Sequence, residues 1–106
     1  MDTTLFSALS EPHRLNIVEL LRDGPRPVGD IVSKLGLNQP QVSKHLRVLA
    51  DAGIVEAKPM AQKRVYEISP QSFEKLDEWI KSFRKLWSER FDRLDGLLAQ
   101  EKRKSA

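Results

Sequence analysis

Between Ile31 and Ala50 the chain carries Lys34, Lys44, His45 and Arg47 and no carboxylate, although the 106 residues hold 15 Asp and Glu. Cations without competing acids suit contact with a polyanion, because each phosphate they neutralise releases condensed counterions. Gln39, Gln41 and Ser43 stand among them. Gln can pair bidentately with adenine, Lys with the acceptors of guanine, and Ser with either partner type. A helix that reads DNA touches bases with its N-terminal turns. That favours Gln39, Gln41, Ser43 and Lys44 as base or near-base contacts, with Arg47 better placed for phosphate. His45 lies on the flank of this face, about 100° from Leu46 in a helix of 3.6 residues per turn. Two roles stay open for it, a half-buried structural side chain or a phosphate donor at the helix edge. A second basic set, Lys58, Lys63 and Arg64, surrounds a hairpin tip. It suits a wing over phosphate or minor groove, and equally an edge strand whose lysines discourage aggregation.

Other chemistry finds few residues. There is no cysteine, which removes disulfides, thiolate metal sites and thiol catalysis. His13 and His45 are the two histidines and fall on different helices. No Gly-rich phosphate loop and no HExxH spacing occurs. Asp77, Glu78, Glu89, Asp92 and Asp95 alternate with Lys and Arg and read as a solvated helix face. An enzyme, a cofactor and a bound metal are therefore not expected. The net charge of +3 is mild, so it is the local placement of charge that points to nucleic acid.

The elements that must position the basic face follow from apolar spacing and punctuation. A short first helix carries Leu5, Phe6 and Leu9, with Asp2 or Thr3 as cap. Pro12 starts a second, with Leu15, Ile17, Val18, Leu20 and Leu21 at helical spacing, and Gly24-Pro25 ends it. Pro27 opens a short third helix with Val28, Ile31, Val32 and Leu35 on one face. Gly36 is its left-handed cap. Asn38 is then an N-cap and Pro40 a first-turn residue for a fourth helix, whose Val42, Leu46 and Leu49 share a narrow face. Gly53 ends it. Two helices joined by so short a turn form a helix-turn-helix. Ile54–Met60 and Arg64–Ser69 alternate as two strands joined by Ala61-Gln62-Lys63, with Pro59 marking an edge. Together these elements predict a mainly α fold with a small β-hairpin, a winged helix-turn-helix, over residues 1–69.

Ser69-Pro70 begins a last helix, expected to run unbroken to about Leu98 within residues 70–100, before a frayed tail at 101–106. Phe73, Leu76, Ile80, Phe83, Trp87, Leu94 and Leu97 recur at three- and four-residue steps, and Trp79, Leu86, Phe91 and Leu98 widen the stripe. Such a helix is roughly 40 Å long at 1.5 Å per residue, against a radius of gyration of about 13 Å for a small domain. One core can hardly cover that stripe, so a second copy of the same helix is the simplest partner.

The runs Leu9-Ser-Glu-Pro-His-Arg14-Leu, Val42-Ser43-Lys44-His45-Leu46-Arg47-Val48-Leu49 and Ala52-Gly53-Ile54-Val55 resemble the ArsR/SmtB family of bacterial winged helix-turn-helix repressors. The family's SxHLxxLxxAGLV-like stretch matches from Ser43 to Val55, with Ile54 in the Leu place. Arg64 and the strand Val65-Tyr66-Glu67-Ile68 match its wing. The resemblance runs in order through most of residues 5–70. It implies a homodimer through the terminal helices, using Leu5, Phe6 and Leu9 on the first and Trp79, Phe83, Leu86, Trp87 and Leu94 on the last. It also implies binding to a palindromic double-stranded operator near the protein's own promoter, with repression as the outcome. Metal-sensing members carry a cysteine pair on the first helix of the motif, where this chain has Arg26-Pro-Val-Gly-Asp-Ile-Val32. Others use histidines on the last helix, which has none here. Control by a metal is therefore not expected, and the inducer is left open. A Gly common at the family's wing tip is absent.

The rival from another class is a winged-helix protein-interaction module without a role on DNA. The acid-free segment 31–50, which such a module does not require, favours the DNA reading. The N-terminus lacks a basic region followed by an apolar run, and no stretch reaches the ~20 apolar residues of a membrane span. A cytoplasmic protein without membrane contact is expected.

Overall fold

The computed structural model describes residues 3–105, without the side chains of Trp87, Asp95 and residues 99–105. It divides into two units between Glu74 and Lys75. In the first, α1 (Thr4–Leu9) leads into α2 (Pro12–Leu21). Thr3 occupies the N-cap position of α1 without a side-chain cap bond, and Asp2 lies outside the described residues. The Glu-Pro-His-Arg run has a mechanical reason. Glu11 is the N-cap of α2 and accepts the Arg14 amide at 3.0 Å, Pro12 stands where no N–H is needed, and Arg14 Nε donates to the Ala8 carbonyl at 2.6 Å. One short segment thus caps α2 and ties α1 to it.

The helix-turn-helix is α3 (Val28–Leu35) and α4 (Gln39–Asp51). Gly36 ends α3 in the left-handed region, φ 67°, as the sequence predicts, and its N–H closes on the Val32 carbonyl. Asn38 caps α4 with Pro40 in the first turn. The apolar faces of the helices converge on one core in which Ile17, Ile31, Val42, Leu46, Leu49 and Ile54 are fully buried. Val42, Leu46 and Leu49 are the three residues that set the inward face of α4, so the opposite face is held outward by packing rather than by propensity.

The sheet has one strand more than the sequence predicts. β1 (Arg26–Pro27) pairs antiparallel with β3 (Lys63–Ile68), which pairs with β2 (Val55–Met60), in the order β1-β3-β2. Pro27, expected to open α3, instead sits opposite Val65 and takes the N-cap position. A two-residue strand has no periodicity to read. It is fixed by Arg26, whose Nε donates to the Leu20 carbonyl at 3.4 Å and whose Nη1 meets Asp30 at 2.6 Å. The hairpin is also tighter than expected. Met60 pairs with Lys63, which leaves Ala61-Gln62 as a two-residue turn. Such turns need positive φ at the first loop position, and Ala61 supplies it at 57° without being glycine, at a cost of about 1 kcal/mol.

The first unit continues past the boundary expected at residue 69. Ser69 is buried and its amide donates to the Ile54 carbonyl at 2.9 Å. It lacks the side-chain cap predicted for it, its hydroxyl going to Gln71 instead, and the chain enters a 3-10 turn at Pro70–Phe73. The helix that follows is broken. α5 spans Glu74–Ser82 and α6 spans Arg84–Ser105, so the assigned helix also extends through residues expected to fray. The break has a local cause. Ser82 Oγ donates to the Trp79 carbonyl at 2.5 Å, the acceptor that the Phe83 amide would use in a continuous helix, and Phe83 N–H goes to Ile80 at 3.1 Å. No helix of the described chain is long and apolar enough to cross a membrane.

Candidate nucleic-acid interface

The outward face of α4 and the near side of the hairpin border the same two clefts. One, of about 680 Å³, is lined by Gln39 and Ser43 from α4, Lys63, Arg64 and Tyr66 from β3, and the start of α3. The other, of about 560 Å³, lies between Ser43, Lys44 and Arg47 on α4 and Ala57, Arg64 and Tyr66 on the sheet. Ser43, Arg64 and Tyr66 belong to both. The structure therefore brings six of the nine expected DNA-contacting residues, Gln39, Ser43, Lys44, Arg47, Lys63 and Arg64, around one continuous surface.

Four of those six are cations. Among the described residues none of Lys44, Arg47, Lys63 and Arg64 is ion-paired, whereas Lys58 is bound to Glu67, Arg26 to Asp30 and Lys81 to Asp77. Long exposed cations without intramolecular partners keep their charge available for phosphate. Asp30 lines the larger cleft, but its carboxylate is engaged by Arg26.

Three expected contacts are placed differently. Lys58 shares its sheet face with Glu56, Val65 and Glu67, opposite to the face of Arg64 and Tyr66. Its bond to Glu67, then the Glu67 charge, pushes the Lys58 ammonium up from its ordinary value. It is a cross-strand tie, not a free phosphate ligand. Gln41 is exposed, yet its side-chain oxygen is folded back onto the Asn38 amide at 3.2 Å in a reciprocal capping box, so its amide edge is not free for bidentate base pairing. The spacing Asn38-x-x-Gln41 is the sequence signal for that box. His45 turns inward. Its side chain is 18% exposed, Nδ1 is buried with no hydrogen-bond partner, and it lies 3.7 Å from Glu11 Oε2. The structural role is the one its surroundings support. Tyr66 was not among the sequence candidates, because an aromatic in an alternating strand reads as packing. Its place beside Arg64 on the clefts that α4 also lines appears only once β3 is paired.

The expected dimer residues also divide. Leu5, at 8% exposure, is packed in the core of its own unit, and Leu9 is half-buried, while Phe6 is exposed. On α5 and α6, Trp79, Ile80, Phe83, Leu86, Phe91, Leu94, Leu97 and Leu98 are all exposed. Trp79 and Phe83 meet edge to face at 5.2 Å across the break. The side chain of Trp87 lies outside those described. Among the described residues no three His, Asp or Glu side chains are grouped as a metal site.

Comparison with known proteins finds relatives among bacterial regulators. A family model described as bacterial regulatory protein, arsR family, matches residues 11–57, from the cap of α2 into β2. The chain is 28% identical to the transcriptional repressor SdpR of Bacillus subtilis over 79 residues, 74% of this chain and 88% of SdpR. A crystal structure titled a possible transcriptional regulator for arsenical resistance is 31% identical, with a TM-score of 0.66 over 89% of this chain and 94% of that one. A solution structure from Mycobacterium bovis, described as a homodimeric winged helix-turn-helix DNA-binding domain, is 28% identical, with a TM-score of 0.65 over 78% and 77%. The chain spans only 61% and 55% of the length of two curated relatives to which it is 40% and 38% identical. The names of these relatives are those of transcriptional regulators and repressors.

Proposed function

The chain belongs to the ArsR family of bacterial regulatory proteins, and from that premise we propose that it is a homodimeric DNA-binding repressor of transcription. α4 enters the major groove. Gln39, Ser43 and Lys44 face base edges from its first turns, Arg47 holds phosphate one turn on, and Lys63 and Arg64 on the hairpin hold the adjoining backbone. The observation that carries this reading is the set of four cations without acidic partners on a surface shared by α4 and the hairpin.

A second copy covers the apolar stripe of α5 and α6. Exposed Leu86, Leu94, Leu97 and Leu98 recur at helical spacing, and exposed apolar side chains gathered on one face mark interaction surfaces. A relative described as homodimeric supports pairing with a second copy. Two-fold symmetry sets the two α4 helices about 34–36 Å apart and makes the operator palindromic. Repression then follows from occupancy of the promoter. Control without a metal is supported by a sequence that has no cysteine and no histidine after His45.

A gel shift with DNA from upstream of the protein's own gene, in moderate salt, tests the reading. A discrete shifted species that specific competitor removes and random competitor does not is expected. No shift with that DNA or with a random pool contradicts it.

A further inference from the structure

The last turn of α2 and the end of β3 border a pocket of about 390 Å³ that shares no lining residue with the two clefts beside α4. Its walls are Val18 and Leu21 from α2, Ile68 from β3 and Phe73 from the 3-10 turn, and Glu19 and Arg22 complete the lining. All six lie in the first unit. Leu21 is buried, Val18, Ile68 and Phe73 are half-buried, and the two charged residues are exposed. Apolar walls with a few placed polar groups, in a volume of about 300–1,000 Å³, are the usual make-up of a small-ligand site.

The two charges decide which ligand fits. Residues three apart on a helix are neighbours and commonly pair. Yet among the described residues neither Glu19 nor Arg22 takes part in an ion pair or a side-chain hydrogen bond. The pocket thus presents one free anion and one free cation beside an apolar wall. An uncharged apolar molecule would use neither. A fatty acid would meet Glu19 with like charge, and an alkylamine would meet Arg22 in the same way. A zwitterion with an apolar tail satisfies both by charge-assisted bonds. Neighbouring side chains at this spacing leave about 5–6 Å between their Cβ atoms, a span that an ammonium and a carboxylate on one carbon can bridge.

We propose that this pocket binds a free apolar α-amino acid, with its ammonium on Glu19, its carboxylate on Arg22 and its side chain against Val18, Leu21, Ile68 and Phe73. Ile68 ends the strand that begins with Lys63 and Arg64. An occupant held against Ile68 therefore bears on the strand that presents two of the hairpin cations, and it acts as an effector of operator binding. That effect rests on the DNA-binding reading above; the binding site does not.

Titration calorimetry of the full chain with L-leucine tests the site, with backbone amide shifts to locate it. Saturable binding is expected, with shift changes centred on Leu21, Ile68 and Phe73. Isocaproate, which lacks the ammonium, and isopentylamine, which lacks the carboxylate, are each expected to bind about tenfold more weakly, the scale of one charge-assisted bond. Glu19→Gln and Arg22→Gln, both at exposed positions, are expected to weaken leucine by the same factor. Arg22→Gln is expected not to weaken isopentylamine, which has no carboxylate to lose. Absence of saturable binding, equal affinity for leucine and isocaproate, full affinity in either variant, or shifts confined to other residues overturns the site. In the second readout, saturating leucine is expected to change affinity for a selected DNA site about fivefold or more. Leucine binding that leaves this affinity unchanged overturns the effector role, and leucine binding with no DNA binding under any condition overturns the DNA-binding reading alone.

Discussion

Asn38 and Gln41 hold each other at the start of α4: the Gln41 amide donates to Asn38 Oδ1 at 2.9 Å, and the Asn38 amide donates to Gln41 Oε1 at 3.2 Å. Two of the N–H groups that every helix leaves unpaired are satisfied at the end of the helix that must approach DNA. Asn38→Ala is expected to lower stability by about 1 kcal/mol, read from the urea midpoint. Gln41→Ala is expected to weaken binding to all operator variants alike, because it loosens the first turn. A loss confined to one base position in a panel of operator variants would return Gln41 to the role of reader.

The free and the engaged cations predict different salt behaviour. Arg47→Ala or Arg64→Ala removes two phosphate contacts from a dimer, so the slope of log K against log salt is expected to become shallower by about 2. Lys58→Ala is expected to leave the slope unchanged, because that ammonium already serves Glu67. Titrations of DNA affinity at several salt concentrations check both.

Glu11 predicts an acid limb of stability. Desolvation alone would raise its carboxyl, but the Arg14 amide and then the nearby His45 and His13 together hold it below the ordinary value of 4.5. A depressed carboxyl contributes stability that is fully present above its unfolded value and lost as pH falls through its folded value. Thermal unfolding midpoints of the parent are therefore expected to fall as pH drops below 4.5 more steeply than those of Glu11→Gln. Parallel curves would show that the cap, and not its charge, is what counts.

The stripe on α6 predicts a monomer on a single change. Leu94 is exposed within its own chain, and Leu94→Glu would place a charge in the apolar contact between copies, where an unpaired buried charge is strongly unfavourable. Sedimentation is expected to show a dimer for the parent and a monomer for the variant. A parent that is monomeric at micromolar concentration removes this interface.

Much of this was legible in residue spacing. Val42, Leu46 and Leu49 fix the inward face of α4, and Gly36 and Asn38 fix its entry, so the helix-turn-helix and its outward residues follow from local rules. What was not legible depends on contacts distant in sequence. β1 exists because Arg26 and Pro27 lie against Tyr66 and Val65, and two residues carry no pattern. Lys58 reads as a free cation until register sets it beside Glu67. His45 could be assigned to neither role until Glu11 was found beneath it. The break at Phe83 turns on one hydroxyl, since Ser82 takes a carbonyl that periodicity assigns to the backbone.

Selection of bound fragments from a random DNA pool by the purified full chain tests the central claim most directly. The account predicts an enriched palindrome whose half-sites are about 34–36 Å apart along the duplex, one helical turn, with enrichment lost on replacing Lys44 and Arg64 together. A pool that returns no enriched sequence, while the folded protein remains intact, would contradict it.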